Sequence, residues 1–403
     1  MRKIGFVSLF SGAGGLDVGL EEAGFSCLYA ADIDGAAYAT LIANKEQNPP
    51  HFRDAVVEQA DVSRTTGVHI LNRIGASRGD IPLLVGGPPC QSWSSAGHQK
   101  GWLDPRGRLF DDFVRMAGEL DVRWLMFENV RGLLTARGPD GIPGSALELI
   151  RQKLLSAGFQ TQVALLNAAD YGVPQRRVRL VVFGFRVGDE LDFPQPNHSK
   201  CATPKWVSMD DALRPLEDLS SDEIIRPNAK LLGQLVGLRP GTGVKSPGKT
   251  EATRPGGHWG YKQGAFIADM NLAARTVTAN PQQDWIIDAK LGIRRLSPRE
   301  CAALQTFPPN WMFVGKRADQ YRLIGNAVPP TLARQIGEKL HQHIIETWEG
   351  ARASLSSLQP LAPSLRAAIA YTVKDEERNG ASRRVTSSRR TSRLSESSMA
   401  ALG

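Results

Sequence analysis

The sequence predicts an α/β fold built around a parallel sheet, with a second, smaller domain. Three observations predict it. Between Lys3 and Gly184, short β-branched or apolar runs alternate with amphipathic stretches, the pattern of strands joined by crossover helices. A glycine-rich turn stands at the first strand-to-helix junction, where α/β folds admit ligands. From 187 to 292 the alternation gives way to a stretch rich in Pro, Gly and Lys, as a small domain with long loops requires.

Strands are expected at Lys3–Leu9, Ser26–Ala31, Ile81–Val85, Arg123–Phe127, Gln160–Leu166 and Val178–Phe185. Helices are expected between them at Gly15–Ala23, Ala36–Lys45, Leu109–Leu120 and Ser145–Ala157; Gly24 and Gly158 stop the first and last of these. After the irregular region, Ser297–Gln305 reads as a helix with Ser297 as N-cap, Pro298 at its first position and Glu300 completing a capping box. A longer helix follows at Pro330–Trp348. The resulting division is 1–186, 187–292, 293–350, and a linker with a basic tail over 351–403.

The 403 residues, 41% hydrophobic and 22% charged, match an ordinary globular protein rather than a disordered or membrane chain. No apolar run is long enough to span a bilayer. Met1–Phe10 enters a strand-like stretch without the features of a secretory leader, so the cytoplasm is the expected compartment. Cys27, Cys90, Cys201 and Cys301 are too scattered for a disulfide framework or a Cys-x-x-Cys zinc site, and His341 and His343 point to different sides of a helix. No metal site is expected. The net charge of +8 favours polyanionic partners without identifying one. Part of it belongs to Arg378, Arg383, Arg384, Arg389, Arg390 and Arg393, in a Ser-rich, hydrophobe-poor tail expected to be disordered.

The first turn reads Phe10-Ser11-Gly12-Ala13-Gly14-Gly15-Leu16. A dinucleotide fingerprint needs a third glycine at position 17, where Asp17 stands instead. An acidic side chain there suits a ligand without a pyrophosphate, such as the cationic S-adenosylmethionine; a purely structural glycine turn is the alternative. The second strand leads to Asp32, about twenty residues downstream, the spacing at which a carboxylate reaches ribose hydroxyls. Asp61 can accept from an adenine amino group, or serve only as a turn residue or cap.

Gly86-Gly87-Pro88-Pro89-Cys90-Gln91-Ser92-Trp93 follows an apolar strand directly. The prolines stiffen the chain as it leaves the sheet and hold the cysteine at the strand's carboxyl edge. A lone cysteine is ordinarily a small buried hydrophobe, but a glycine-proline turn is a poor place to pack a core side chain. Phe127-Glu128-Asn129-Val130 ends a further strand and brings a carboxyl to the same edge.

Taken in order, these blocks resemble the DNA cytosine-5 methyltransferase family. The Phe-x-Gly-x-Gly-Gly turn, Pro-Cys-Gln and Glu-Asn-Val are followed by Gln175-Arg176-Arg177-Val178-Arg179, Arg295-Leu296-Ser297-Pro298-Arg299-Glu300 and Gly325-Asn326-Ala327-Val328. They cover nearly everything from Lys3 to about Gly337. The resemblance implies a Rossmann-like S-adenosylmethionine-dependent methyltransferase fold in which 187–292 is the target-recognition domain. It implies Cys90 as nucleophile, Glu128 as the group that holds and protonates the base, Arg179 as a contact to its O2, and Arg177 as supporting or salt-bridged. It places cofactor contacts at Phe10, Gly12, Gly14, Gly15, Leu16, Asp32, Ile33, Asp61, Val62, Pro89, Leu109, Asn326 and Val328. Two departures stand out: the family's usual glutamate after the second strand is Asp32, and the aromatic after it is Ile33.

On the DNA side contacts are expected at Gln91, Ser92 and Arg106; Ser92–Gly107, rich in Ser and Gly and carrying His98, Lys100 and Arg106, reads as a gate that closes over DNA or simply as a long exposed loop. The resemblance adds Arg275 beside the Thr276-Val277 signature. Lys245, Lys249, Arg254, His258, Trp259, Tyr261 and Lys262 interleave basic and aromatic residues among glycines, a composition suited to phosphates and base edges; a solvated surface loop is the alternative. The implied partner is double-stranded DNA, met by a monomer with no membrane association; a cognate restriction endonuclease is left open. Three rivals are a tRNA methylase on the same fold, disfavoured by the lack of Cys-Phe-Thr, a sequence-specific repressor, and a nicotinamide dehydrogenase, disfavoured by Asp17.

Overall fold

The protein is described by a computed structural model covering residues 4–89, 109–216, 218–245, 247 and 264–375. Its centre is a seven-stranded sheet formed by β1 (Ile4–Leu9), β2 (Phe25–Asp32), β3 (Val56–Gln59), β4 (Leu83–Gly86), β5 (Trp124–Val130), β6 (Gln160–Asn167) and β7 (Val178–Phe185). The spatial order is β3-β2-β1-β4-β5-β7-β6. Both faces of the sheet are covered. In β5, Trp124 and Met126 enter one core while Leu125 and Phe127 enter the other, which is why its strands read as continuous apolar runs.

One face carries α1 (Gly15–Glu22), α2 (Gly35–Lys45), α8 (Pro298–Leu304), α9 (Arg317–Asn326) and α10 (Pro330–Thr347), through residues such as Leu20, Leu41, Leu304, Ile324 and Leu332. The other carries α3 (Gly67–Ile74), α4 (Leu109–Leu120) and α5 (Ser145–Ser156), through Ile70, Phe113 and Leu147. Ser297 caps α8 and Glu300 returns the bond, as the spacing predicts. In the large sheet and its helical layers, β3, a four-residue edge strand with no buried residue, was not read individually from the sequence, nor were α3 and α9.

The sheet differs from a parallel one at β7, which is antiparallel to both β5 and β6. The link from β6, residues 168–177, contains only a short 3-10 turn at Ala168–Tyr171. A parallel return needs a longer crossover, usually a helix, so the chain turns back as a hairpin.

The irregular region contains α6 (Met209–Leu213), α7 (Ala229–Leu235), β8 (Thr242–Gly243), β9 (Phe266–Ile267), β10 (Trp285–Asp288) and β11 (Gly292–Arg295). The strands form a second sheet ordered β11-β10-β9-β8, so it continues past 292. Among the described residues its own core is small, Leu235, Ile267 and Trp285. Met209, Ala274, Val277 and Ile286 belong instead to the core of the large sheet.

The stretch after 350 also departs from the expected linker. The Ala353 N–H donates to the Arg186 carbonyl at 2.9 Å, residues 363–375 are helical, and Leu365 is buried on the α4–α5 face. The Arg-rich part, 376–403, lies outside the described residues.

Candidate active site

β1, β2, β4 and β5 are parallel, so their carboxyl ends lie on one edge of the sheet. Strand order reverses between β1 and β4, the position at which open α/β sheets hold ligands. A cleft of about 430 Å³ opens there, within the range of small-molecule sites.

The glycine turn forms its floor. Phe10 has φ 58, a left-handed conformation that costs a bulky residue on the order of 1–3 kcal/mol and tends to mark functional sites. Gly12 follows at φ 56, with open space where a Cβ would stand. A Cβ on Gly15 would lie 2.3 Å from the Val328 carbonyl oxygen, so glycine is what lets the start of α1 meet the segment after α9. Gly15, Leu16, Asn326 and Val328 all border the cleft; Gly14 lies beneath, packed toward Leu41 and Phe52.

Acidic residues line one wall. Asp32 Oδ2 accepts from the Gly12 N–H at 2.8 Å and Oδ1 from the Asp34 N–H at 2.9 Å, which ties the end of β2 to the glycine turn. Burial raises its pKa, against the lowering effect of those two N–H groups. Asp34 caps α2 through the Ala36 and Ala37 N–H groups and pairs with Arg322 at 2.6 Å. Burial pulls its pKa up, but the Arg322 guanidinium and the helix N–H groups outweigh that and hold it low. Asp61 accepts from the Ser63 hydroxyl and N–H at 2.7 and 3.0 Å, and the hydroxyl holds its pKa below the usual range. It is thus a turn residue that also lines the cleft, beside buried Val62. Ile33 stands 64% exposed over this wall.

Asp17, in the first turn of α1, is completely buried. Among the described residues neither of its carboxyl oxygens has a hydrogen-bond partner. Burial pushes its pKa up to about 7; the Ser8 hydroxyl opposes this, while Glu21 and Asp32 add to it.

The far end of the cleft holds the residues expected to meet the base. Pro88 and Pro89 border it with Leu109, and Glu128 Oε2 lies 3.8 Å from the point where Gly87 would carry a Cβ. Arg179 Nε stands 2.6 Å from Glu128 Oε1, both side chains largely buried. The inverted β7 makes that meeting possible. Glu128 pairs with Val181 and Val130 with Arg179, so Glu128 and Arg179 are diagonal neighbours on one face. Asn129 Nδ2 donates to the Pro88 carbonyl at 3.2 Å, fastening the proline turn to β5.

Other expected site residues are placed differently. Cys90, Gln91, Ser92 and Arg106 lie outside the described residues, as do Lys249, Arg254, His258, Trp259, Tyr261 and Lys262. Arg177 is fully buried away from the cleft and donates to the carbonyls of Val277, Gly325 and Ala327 at 3.0, 2.8 and 2.8 Å. It supports rather than touches the site, with no carboxylate at these three bonds. Arg275, expected at DNA, is held by a bidentate pair with Asp284 at 3.0 and 2.6 Å and lies over the Phe266 ring. Thr276 donates its hydroxyl to the Arg176 carbonyl, and the Val277 N–H donates to Gln175 Oε1, both at 2.8 Å. With Val277 2% exposed, this signature anchors its segment to the link that leads into β7. Arg322 and Asn129 were not singled out as site residues in the sequence. Arg322 stands one helical turn before Asn326, a spacing that shares a face and that signals it.

The profile of the C-5 cytosine-specific DNA methylase family matches residues 4–342. The chain belongs to that family and is a DNA (cytosine-5)-methyltransferase. The methyltransferase is 32% identical over 341 residues to the Type II methyltransferase M1.HphI of Haemophilus parahaemolyticus, covering 83% of this chain and 85% of the relative. It is 31% identical over 361 residues to M.FnuDI of Fusobacterium nucleatum, covering 84% and 95%. Among solved structures, the S. pombe Dnmt2 methyltransferase superimposes with a TM-score of 0.58 at 18% identity, over 85% of this chain and 99% of that one. At that identity the likeness speaks for the fold. No helix among the described residues is long and apolar enough to cross a membrane.

Proposed function

We propose that the methyltransferase acts on a cytosine rotated out of a specific duplex DNA sequence, by way of a covalent bond to Cys90, with S-adenosylmethionine as donor. The Glu128–Arg179 pair beside the Pro88-Pro89 turn carries this reading. The cleft also fits the donor: an unpartnered buried carboxyl at Asp17 and the neighbouring Asp32 suit a cationic ligand, and open space at Gly12 admits a close approach to the backbone. When bound, S-adenosylmethionine supplies an electrophilic methyl group. Asp32 and Asp61 would hold its ribose and adenine, with Ile33 and Val62 against the ring.

The Cys90 thiolate adds to C6 of the base and makes C5 nucleophilic. Glu128 holds N3 and the exocyclic amine and supplies the proton at N3 as charge develops, while Arg179 holds O2. Departure of the C5 proton after methylation restores the double bond and expels Cys90. A base stacked in a duplex cannot reach these groups, so the target must be everted. The curated relatives are Type II methyltransferases, which favours a role in restriction and modification.

DNA carrying 5-fluorocytosine at the recognition site blocks loss of the C5 substituent and should trap a covalent complex stable to denaturation. Cys90→Ser should abolish both the adduct and methyl transfer while retaining DNA binding. Absence of an adduct from the active wild-type enzyme, or methyl label entering tRNA alone, would overturn the proposal.

A further inference from the structure

The cleft runs across the carboxyl ends of three neighbouring strands. β1 lies between β2, which ends at Asp32, and β4, which leads into the Pro88-Pro89 turn. Ser8 of β1 pairs with Ala30 on one side and Val85 on the other, and Ser8 and Asp17 both border the cleft. An acidic residue in the first turn of a helix ordinarily turns back to the free N–H groups there. Asp17 does not: it is fully buried, and among the described residues neither of its carboxyl oxygens accepts a hydrogen bond.

The groups around this carboxyl do not neutralise it. Ser8 on β1 offers a hydroxyl, while Glu21 on α1 and Asp32 on β2 are themselves acidic. Cys27 on β2 is a thiol whose pKa burial and these acids push up. The cations on the neighbouring helices are engaged elsewhere. Lys45 of α2 donates to the Ala55 carbonyl, Arg322 of α9 pairs with Asp34 and Asp319, and Arg334 of α10 pairs with Glu22 and Glu338. A buried carboxylate without a partner is costly, so its ionised form gains most from a positive charge brought into the cleft.

We infer that Asp17 makes the cleft distinguish the methyl donor from its demethylated product: its carboxylate attracts the sulfonium of S-adenosylmethionine and has no such charge to attract in the neutral thioether of S-adenosylhomocysteine. This rests on the cleft holding the donor, as proposed above. A ligand whose ribose is at Asp32 and whose methyl group meets a base at Glu128 spans the middle stretch at Ser8 and Asp17 with its sulfur between. Donor and product differ by one methyl group and one positive charge at that sulfur, and a charge pair in a low-dielectric cleft is worth several times what it is in water. Donor binding ionises Asp17 and sends its proton to solvent. When the methyl group leaves, the electron pair of the broken S–C bond stays on sulfur, the sulfonium charge is gone, and Asp17 takes a proton back, which weakens the hold on the product.

The test is titration calorimetry of the full chain without DNA, with S-adenosylmethionine and S-adenosylhomocysteine, at about pH 6, 7 and 8, for wild type and Asp17→Asn. The ligands' own amino groups titrate toward the upper end of this range, and the ratio of wild-type to variant affinity at each pH cancels them. With the empty-site carboxyl at about 7, that ratio should rise about tenfold for the donor from the lowest pH to the highest and stay level within about twofold for the product. A level ratio for the donor, or ratios that rise together, overturns the inference. The wild type alone gives a second readout. Near pH 6.5, in buffers of different ionisation enthalpy, donor binding should release about half a proton or more and product binding none; equal proton counts contradict the role of Asp17. If neither ligand binds the wild type, the donor reading falls and this inference with it, whereas binding of both with one pH profile overturns this inference alone.

Discussion

Asp17 borders the cleft with a fully buried carboxyl. Its carboxyl is buried beside the Ser8 hydroxyl, Glu21 of its own helix and Asp32 of β2, and titrates at about 7 instead of 3.8. That difference corresponds to on the order of 4 kcal/mol. Because the folded-state pKa is raised, the folded protein binds the extra proton, and stability falls as pH rises from about 4 through 7. Asp17→Asn should therefore come closest to the wild-type apo protein at or below about pH 4 and exceed it by a growing margin up to pH 8, as read by denaturant melts at the two pH values. A gap that does not grow with pH would show that the carboxyl does not titrate there. The residue type was legible in the sequence, since an aspartate replaces the third glycine of a dinucleotide turn. Its complete burial was not, because that depends on the packing of α1 against β1, β2 and the C-terminal helices.

At the level of elements, the sequence reading placed most strands and failed on direction. The apolar run of β7 is plain, and so is Arg179 at its start; in a parallel sheet that arginine would stand at the edge opposite Glu128. The shortness of the 168–177 link carried the missing information, since it leaves no room for a crossover. The capping box of α8 was fully local and hence readable, whereas β3 lacks an apolar run because no residue in it is buried. The glycine turn makes a prediction at this scale. Gly15→Ala drives a Cβ to 2.3 Å from the Val328 carbonyl, an approach that must push α1 away from the segment after α9. Since both sides border the cleft, the variant should lose about 1–3 kcal/mol of stability and bind S-adenosylmethionine at least tenfold more weakly by calorimetry. Unchanged donor affinity would show that the cleft does not depend on this contact.

For the molecule as a whole, the question is what holds the irregular region after β7 to the large sheet. Composition suggested a separate domain, yet among the described residues its own buried cluster is Leu235, Ile267 and Trp285, while Met209, Ala274, Val277 and Ile286 join the core of the large sheet. Arg177 ties the two parts together: one guanidinium bonds the Val277 carbonyl on the recognition side and the Gly325 and Ala327 carbonyls at the end of α9. Its neighbours extend the link, with Gln175 joining the Val277 N–H to Gln305. Arg177→Gln is too short and has too few donors to serve three carbonyls, and each buried carbonyl left without a partner costs on the order of 1–3 kcal/mol. The variant should lose at least about 3 kcal/mol, and hydrogen exchange should rise in 274–278 and 323–328 together, while β1 and β4 keep their protection. Arg177→Lys should recover only part of this, because an ammonium cannot span the fork. If exchange rose in 274–278 alone, Arg177 would be a local prop of the recognition region, and the coupling of that region to the Asn326 wall of the cleft would have to run elsewhere.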